Sequence, residues 1–206
     1  NKLDKGQILI YASSGSVYGS TNITSVEDVP LKFKPINNYD LTKYSLDVHA
    51  EKFIQNGYNI IGLRFGTVNG WSPNIREELM INSMTKKAIR EGSISINNKT
   101  IKRPILGISD ISKAMTKIIE EPISGVYNLA SFNDTVQSIS TYISNSLDAN
   151  IEETINISGA YDFNMSTDKF QSVYNFNFDE SIESIVNELV DKDNNYSNRN
   201  IYIKYE

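Results

Sequence analysis

The spacing of apolar and polar positions predicts a regular succession of strands and helices in the first part of the chain. Residues 7–12 form a short, nearly continuous apolar run, typical of a strand buried on both faces of a parallel sheet. Residues 39–55 follow a helical period, and Gly57 is a typical helix terminator. Residues 59–65 are a second apolar run. A strand, a helix and a strand in this order predict a right-handed parallel crossover.

The remaining pattern is less regular and predicts shorter elements. The polar stretch at 20–38 is expected to be a loop, with Asn37 or Asn38 as the cap of the following helix, and Asp110 is expected to cap another helix. Further helices are predicted at 77–91, 110–119, 135–147, 168–174 and 179–190. Further strands are predicted at 94–96, 101–106, 126–130 and 151–157. We expect the asparagine-rich residues 191–206 to be a polar tail.

Composition excludes several classes of function. Asp and Glu total 25 against 20 Lys and Arg, and no basic run occurs, which argues against a nucleic-acid surface. The chain has no cysteine and one histidine, His49, so we predict no metal site and no Ser-His-Asp triad. No apolar run is long enough to span a membrane, and the first residues do not resemble a signal peptide. These features lead us to expect a cytoplasmic protein.

Candidate chemistry lies just after the first strand and at the start of the following helix. The turn at 13–19 reads Ser-Ser-Gly-Ser-Val-Tyr-Gly, and such turns at strand ends are where open parallel sheets bind ligands. Tyr39 and Lys43 are one helical turn apart, so their side chains share a face. A nearby ammonium favours the phenolate, which can take a proton from a sugar alcohol. Alone, each motif has an ordinary alternative: a solvated helix face for the tyrosine and lysine, and a turn serine for Ser14.

The order of the motifs resembles a known family. A strand ending in Leu-Arg-Phe-Gly-Thr-Val-Asn-Gly occupies 63–70, Arg-Pro-Ile-Leu-Gly-Ile-Ser-Asp occupies 103–110, and Gly-Val-Tyr-Asn-Leu-Ala occupies 125–130. Together with the serine turn and Tyr-x-x-x-Lys, they resemble the extended short-chain dehydrogenases/reductases, specifically the NAD-dependent nucleotide-sugar epimerases and dehydratases. The resemblance covers residues 7 to about 190.

This resemblance implies roles for particular residues. Ser14 takes the place of the catalytic Ser/Thr, Tyr39 that of the general base, and Lys43 that of the ligand to the cofactor ribose. Tyr39 and Lys43 would therefore also contact NAD(P), together with residues that line the nicotinamide and sugar pocket: Phe65, Thr67 and Val68. Substrate binding is expected from Ser14, Ser16 and Arg103, whose guanidinium suits a nucleotide diphosphate.

Two departures from the family pattern narrow the function. Family dehydratases carry Asp-Glu directly after the catalytic Ser/Thr, where this chain has Gly15 and Ser16, so dehydration is disfavoured. Thr67 stands where many members have Asn. We therefore expect an NAD(P)-dependent nucleotide-sugar epimerase acting by tyrosine-assisted hydride transfer. The alternatives are a nucleotide-sugar 4-keto reductase, or a non-catalytic fragment or binding subunit.

The predicted fold class is α/β, the C-terminal part of a Rossmann-type doubly wound parallel sheet with a smaller mixed α/β substrate-binding region. We assign residues 1–70 to the Rossmann part and 71–190 to the substrate region, with some elements returning to the Rossmann core. The chain has no glycine-rich strand-to-helix turn. We therefore expect the N-terminal half of the nucleotide-binding domain to be missing or supplied by another chain. The resemblance also implies a homodimer through the helix that bears Tyr39.

Several other residues are explained as well, or better, by a structural or surface role as by a functional one. Arg103 is as well explained by a surface ion pair as by a ligand contact. Arg76 and Asn82 are expected to be surface residues, Trp71 to be packing, and His49 to be structural.

Overall fold

The computed structural model describes residues 3–28, 37–154 and 161–199, with side chains as far as residue 193. The strands of these residues are β1 (Ile8–Ser14), β2 (Asn59–Phe65), β3 (Thr67–Asn69), β4 (Ser93–Ile96), β5 (Lys102–Gly107), β6 (Gly125–Leu129), β7 (Phe132–Thr135) and β8 (Asn150–Glu153). The helices are α1 (Asn38–Gln55), α2 (Met80–Glu91), α3 (Ile108–Glu120), α4 (Val136–Leu147), α5 (Asp168–Tyr174) and α6 (Ile182–Arg199).

The first sheet has the strand order β1-β2-β6, and all three strands are parallel. β2 is central, and its residues 60–64 are buried, as its continuous apolar run predicts. The strands end at the same edge, because Ser14 of β1 lies opposite Phe65 of β2 in the register. The Ser14 turn is therefore placed beside the segment that leaves β2.

Helices cover both faces of this sheet. α1 contacts β1, β2 and β6 on one face. On the other face, apolar side chains of β2 and β6 pack with α3 and α5 in one buried cluster, whose members include Ile61, Leu63, Ala114, Ile118, Leu129 and Phe170. Burial on both sides is the doubly wound arrangement that the sequence predicts.

The smaller region contains two further sheets. β3 pairs with β5 in parallel, and β5 pairs with β7 in an antiparallel ladder. β4 pairs with β8 in parallel, and α2, α4 and α6 pack over a shared core with the buried residues Ile81, Ile94, Ile139, Ile143 and Ile185. This mixed arrangement confirms the α/β prediction for the second part of the chain.

Some local predictions are corrected by the structure. The short strand β7 was not predicted, and the strand expected to end in residues 63–70 is divided at Gly66 into β2 and β3. The predicted strands at 94–96 and 101–106 are present, and they pair with β8 and with β3 and β7, respectively. Residues 191–199, expected to belong to an irregular tail, continue α6 as helix. Tertiary contacts explain this difference: Lys192 lies over the ring of Trp71, 4.6 Å from its centroid, and Asp193 pairs with Arg90 at 3.6 Å. The predicted strand end at 155–157 lies outside the described residues.

Asp110 is not the cap of its helix. α3 begins at Ile108 after Gly107, so Asp110 is inside the first turn. Its buried carboxylate accepts hydrogen bonds from the backbone N–H groups of Asp179 and Glu180, at 3.1 Å each. In return, the Glu180 carboxylate accepts from the backbone N–H groups at the start of α3, at 2.9 and 3.2 Å. Asp110 therefore fixes the segment that leads into α6.

None of the helices within the described ranges combines the length and apolar character that crossing a membrane requires.

Candidate active site

A single cleft at the carboxyl edge of the first sheet collects the residues singled out from the sequence. Its volume is about 280 Å³, and its walls come from the end of β1, the start of α1 and the segment that leaves β2. All eight predicted site residues line it: Ser14, Ser16, Tyr39, Lys43, Phe65, Thr67, Val68 and Arg103. We call it the Ser-Tyr-Lys cleft. Residues more than 80 positions apart in the chain thus share one surface, although their chemical roles stay predictions.

The start of α1 positions Tyr39 and Lys43. Asn37 caps the helix, since its side-chain oxygen accepts from the backbone N–H of Asp40 at 2.8 Å. Lys43 lies 5.6 Å from the centroid of the Tyr39 ring, measured to its Nζ, and donates to the carbonyl of Ala12 on β1 at 2.7 Å. The Tyr39 side chain is 57% exposed. The pair therefore has the predicted geometry, with the ammonium anchored to the sheet and the phenol open to the cleft.

The Ser14 turn is a short 3-10 helix, Gly15–Tyr18, that follows β1 directly. Ser14 caps it, because its Oγ accepts from the backbone N–H of Ser16 at 3.2 Å. The hydroxyl oxygens of Ser14 and Ser16 are 2.9 Å apart. The turn therefore holds both hydroxyls at the cleft wall by local hydrogen bonds.

A buried carboxylate behind these hydroxyls was not found from the sequence. Asp40 is 2% exposed and accepts from Ser16 Oγ at 2.7 Å on one oxygen. Its other oxygen accepts from Asn37 Nδ2 and from the Tyr161 hydroxyl, at 2.6 Å each. In sequence, Asp40 looks like an ordinary acidic residue in the first helical turn, and Tyr161 is too distant to signal the contact.

Gly15 occupies the position where family dehydratases carry an aspartate. A Cβ at this position would lie 2.6 Å from Met165 Sδ and 3.0 Å from Phe163 Cε2. The space beside the turn is thus filled by apolar side chains from the segment before α5. Phe163 also lines the cleft, which no feature of the sequence indicated.

Two arginines line the cleft. The Arg103 side chain makes no hydrogen bond or ion pair with the described residues. Partial burial lowers the pKa of its guanidinium, and the charge of Asp162 partly opposes this effect. It also lines an adjoining cleft of about 420 Å³ between α2 and the β4–β5 segment, as Thr67 does. Arg76, expected to be a surface residue, contributes to the Ser-Tyr-Lys cleft while pairing with Glu78 at 2.7 Å.

A buried polar network joins the three elements that form the cleft. Arg64 of β2 is fully buried, and its Nε donates to Asp47 of α1 at 2.7 Å. Its Nη1 donates to the hydroxyl of Tyr18, in the Ser14 turn, at 2.8 Å. Tyr11 of β1 donates to the second oxygen of Asp47 at 2.9 Å, and Tyr18 donates to Asn128 of β6 at 2.8 Å. Burial raises the pKa of Tyr11 and of Tyr18, so both hydroxyls stay available as donors.

His49 and Asn82, which were given structural or surface roles, do not line the Ser-Tyr-Lys cleft. His49 is exposed and its Nδ1 lies 2.6 Å from the carbonyl of Ser45 on the same helix. Asn82 is buried, accepts from the backbone N–H of Gly70 at 2.9 Å and so fixes the loop before α2. In the part of the chain that the structure describes, no three acidic or histidine side chains are grouped to hold a metal ion.

The fold and the cleft define a class of protein. A parallel sheet with a serine turn at its carboxyl edge and a tyrosine-lysine pair on the next helix is the arrangement of the extended short-chain dehydrogenases/reductases that the sequence resembles. The model of the NAD dependent epimerase/dehydratase family matches residues 3–158. The chain belongs to this family.

Individual relatives are longer than the chain. Protein CapI of Staphylococcus aureus is 31% identical over 121 residues, which are 57% of this chain and 35% of that protein. The ADP-L-glycero-D-manno-heptose-6-epimerase of Brachyspira hyodysenteriae is 31% identical over 144 residues, 64% of this chain and 43% of that enzyme. The chain thus spans less than half the length of these relatives.

A solved structure supports the fold. UDP-glucuronic acid 4-epimerase from Bacillus cereus, in complex with UDP-glucuronic acid and NAD, superposes with a TM-score of 0.78 over 91% of this chain and 61% of that chain. The two sequences are 20% identical. The likeness confirms the Rossmann-type α/β prediction.

Proposed function

We propose that this chain carries the catalytic serine, tyrosine and lysine of an NAD(P)-dependent epimerase that acts on a nucleotide sugar. The single observation that carries the proposal is the convergence of Ser14, Tyr39 and Lys43 on one cleft. Family membership supports the same reaction class. The proposal covers both NAD and NADP as the cofactor.

The residues of the cleft fit a nicotinamide cofactor. Phe65 and Val68 give it a partly exposed apolar wall, and Lys43 keeps two of its three ammonium hydrogens after donating to Ala12. Lys43 would hold the cofactor ribose, with Tyr39 beside it. When bound, the nicotinamide ring supplies hydride acceptance from the sugar carbon and hydride return.

In the proposed reaction, residues of this chain would accept the proton of the sugar hydroxyl and orient the sugar. Tyr39 would act as the general base that takes the proton of the sugar hydroxyl, with the Lys43 ammonium 5.6 Å from the centroid of its ring. Ser14 would hydrogen-bond the same oxygen as its charge changes. Return of hydrogen to the other face of the sugar carbon would complete an epimerisation.

The surroundings of Gly15 support epimerisation over dehydration. Loss of water from a sugar needs an acid and a base beside the reacting carbons. Gly15 and Ser16 have no ionisable group, and Met165 and Phe163 leave no room for a larger residue at position 15. A reductase of a 4-keto sugar would use the same tyrosine and serine, and product analysis separates it from an epimerase.

The two clefts that meet at Arg103 support a nucleotide-sugar substrate. Arg103 and Thr67 line both, so a ligand can place its sugar beside Tyr39 and extend into the adjoining cleft. The Arg103 guanidinium donates no hydrogen bond to the described residues, and a guanidinium suits a diphosphate, which it can bind in bidentate fashion. Arg76 would add a second positive charge.

Turnover of a panel of nucleotide sugars, measured with NAD and with NADP, tests the proposal. Tyr39→Phe is expected to lower turnover about 10²- to 10⁴-fold, the usual contribution of a general base, while the far-ultraviolet circular dichroism stays unchanged. Tyr44→Phe is the matched control, because Tyr44 is on the same helix but does not line the cleft. Equal turnover of the two variants would refute the role of Tyr39.

A second candidate is a chain that binds substrate but needs another segment or chain to hold the cofactor. β1 pairs only with β2 among the described strands, and its apolar Ile8 and Leu9 are 46% and 43% exposed. An open strand of this kind can accept a further strand. NAD binding, measured by calorimetry with this chain and with an N-terminally extended chain, separates the two candidates. Binding by the longer chain alone would mean that this polypeptide needs a further segment to hold the cofactor, as the second candidate proposes.

The proposal includes a homodimer through α1. Leu41 and Leu46 of this helix are 49% and 46% exposed, and apolar side chains on one helix are typical of a helix-helix interface. Light scattering of the purified protein would show twice the chain mass, and Leu41→Glu with Leu46→Glu would return the monomer.

A further inference from the structure

The Ser14 hydroxyl is linked to a buried carboxylate by a short chain of hydrogen bonds. Ser14 Oγ lies 2.9 Å from Ser16 Oγ, and Ser16 Oγ lies 2.7 Å from Asp40 Oδ1. Ser14 and Ser16 line the Ser-Tyr-Lys cleft, whereas Asp40 does not. Among the described residues, the two hydroxyls therefore connect Asp40 to the cleft by hydrogen bonds.

The number of hydroxyl hydrogens determines which group donates in each of these hydrogen bonds. A carboxylate only accepts hydrogen bonds, and a serine hydroxyl has one hydrogen to donate. The hydrogen of Ser16 is committed to Asp40, so Ser14 must be the donor in the contact between the two hydroxyls. Ser14 Oγ also accepts from the backbone N–H of Ser16 at 3.2 Å. Toward the cleft, Ser14 then offers one lone pair and no hydrogen.

Asp40 itself is firmly oriented. Its Oδ2 accepts from two donors, Asn37 Nδ2 and the Tyr161 hydroxyl, at 2.6 Å each, while its Oδ1 accepts from Ser16 alone. The backbone N–H of Asp40 donates to Asn37 Oδ1 at 2.8 Å, so the two residues cap each other. The carboxylate therefore cannot turn away from Ser16 without breaking three hydrogen bonds.

We propose that Asp40 is a positioning residue that makes Ser14 an acceptor of a hydrogen bond from the sugar hydroxyl. This inference rests on the proposed function, because it concerns the oxygen on which Tyr39 acts. A sugar alcohol can donate to Ser14, whereas a keto sugar only accepts and meets a lone pair. Ser14 donates to the developing oxyanion only after its bond to Ser16 breaks. Asp40 thus biases the cleft toward the alcohol form of the substrate.

Asp40→Asn should reverse the direction of the hydrogen bonds that link residue 40, Ser16 and Ser14. In the wild type, Asn37 Nδ2 and the Tyr161 hydroxyl donate to Oδ2, and Ser16 donates to Oδ1. The single oxygen of an asparagine amide accepts more hydrogen bonds when it occupies the Oδ2 position. The amide NH₂ then donates to Ser16, Ser16 donates to Ser14, and the Ser14 hydrogen points into the cleft. The substitution keeps size and shape, which favours retention of the fold.

Neutron diffraction from crystals grown in D₂O, without ligand, locates these hydrogens directly. In the wild-type protein the Ser14 deuterium is expected to face Ser16, and in Asp40→Asn to face the cleft. Tyr161→Phe is the matched control: it removes a donor from Oδ2 but leaves the Ser14–Ser16–Asp40 chain, so the wild-type direction should remain. A Ser14 deuterium that faces the cleft in the wild type would overturn the proposal.

Ligand discrimination gives a second readout. UDP-6-deoxyglucose and UDP-4-keto-6-deoxyglucose differ only in the oxidation state at C4. We expect Asp40→Asn to lower the ratio of the keto Kd to the alcohol Kd about three- to tenfold, the range of one neutral hydrogen bond, and Tyr161→Phe to leave it unchanged. An unchanged ratio in Asp40→Asn would refute the effect on the substrate. If Asp40→Asn does not fold, Ser16→Ala removes the same link and should shift the ratio in the same direction.

The two readouts separate this inference from the proposed function. If neither sugar binds the wild-type protein, the proposed substrate class fails, while the neutron result still decides the direction of the hydrogen bonds. If both sugars bind and the deuterium positions do not change in Asp40→Asn, the inference fails and the proposed function stands.

Discussion

Removal of the buried Arg64 guanidinium should destabilise the protein far more than the loss of an exposed surface ion pair would. The side chains of Arg64 and Asp47 are both fully buried, with 2.7 Å between Nε and Oδ2. In Arg64→Met, Asp47 keeps only the hydrogen bond from Tyr11, at 2.9 Å. Breaking a buried pair in this way costs about 3–5 kcal/mol, because a charge is left without compensation. That loss is a large part of the about 5–15 kcal/mol typical of a folded domain.

The double variant Arg64→Met/Asp47→Leu isolates the cause. It removes both charges, and replacing a buried pair by apolar groups is often close to neutral. We therefore expect it to be more stable than Arg64→Met by about 2 kcal/mol or more, although it carries one more substitution. Lys113→Met is the surface control, since Lys113 and Asp179 form an exposed pair at 3.0 Å whose loss should cost at most about 1 kcal/mol.

Urea unfolding followed by circular dichroism measures these differences. A shift in the midpoint at constant slope reports a change in the free energy of unfolding. If Arg64→Met loses less than about 1 kcal/mol, or if the double variant is less stable than Arg64→Met, the uncompensated charge is not the cause.

Three further substitutions test other parts of the structure. Gly15→Ala should lose about 1–3 kcal/mol in urea unfolding, because its Cβ meets Met165 Sδ at 2.6 Å, and Gly15→Ala/Met165→Ala should recover part of the loss. Glu27→Gln should become more stable relative to the wild type as pH rises above about 4, since burial raises the pKa of Glu27. Between the pKa of Glu27 in the unfolded chain and its raised pKa in the folded protein, the folded state binds more protons than the unfolded state. The wild type therefore loses stability as pH rises through this range, and a stability difference that does not change with pH would contradict the prediction. Arg103→Met should weaken binding of the proposed nucleotide-sugar substrate about ten- to hundredfold by calorimetry, whereas Arg90→Met, outside both clefts, should have no effect.

The sequence predicted the elements whose pattern is local and strong. The apolar runs gave β1 and β2, the helical period with its asparagine cap gave α1, and the left-handed Gly92 correctly marks the end of α2. The family resemblance grouped Ser14 with Tyr39 and Lys43, and all three line one cleft in the structure. The extension of α6 was missed, since polar residues such as Asp193 become helical through contacts with Arg90 on α2. Intrinsic propensity does not contain such tertiary contacts.

The polar partners of the site were the least predictable part, for a physical reason. Asp40 contacts Tyr161 across 121 positions, and Asn128 accepts from Tyr18 across 110. Such contacts depend on how the elements pack, so neither periodicity nor spacing indicates them. Arg64 is an example: in sequence it is a charged interruption of an apolar strand, and only packing shows its partner Asp47.

The two buried networks meet in the Ser14 turn but act on different properties. Tyr18, on the far side of the turn, belongs to the Arg64 network, which joins β1, β2, β6 and α1. Ser16, two residues earlier, belongs to the Asp40 network, which directs hydrogens toward the cleft. No hydrogen bond joins Arg64 to Asp40 among the described residues, so we expect the first network to bear mainly on stability and propose that the second bears on ligand discrimination. On this proposal, the turn of four residues is held by the Arg64 network on one side, while the Asp40 network on the other side sets the hydrogen-bonding character of its cap, Ser14.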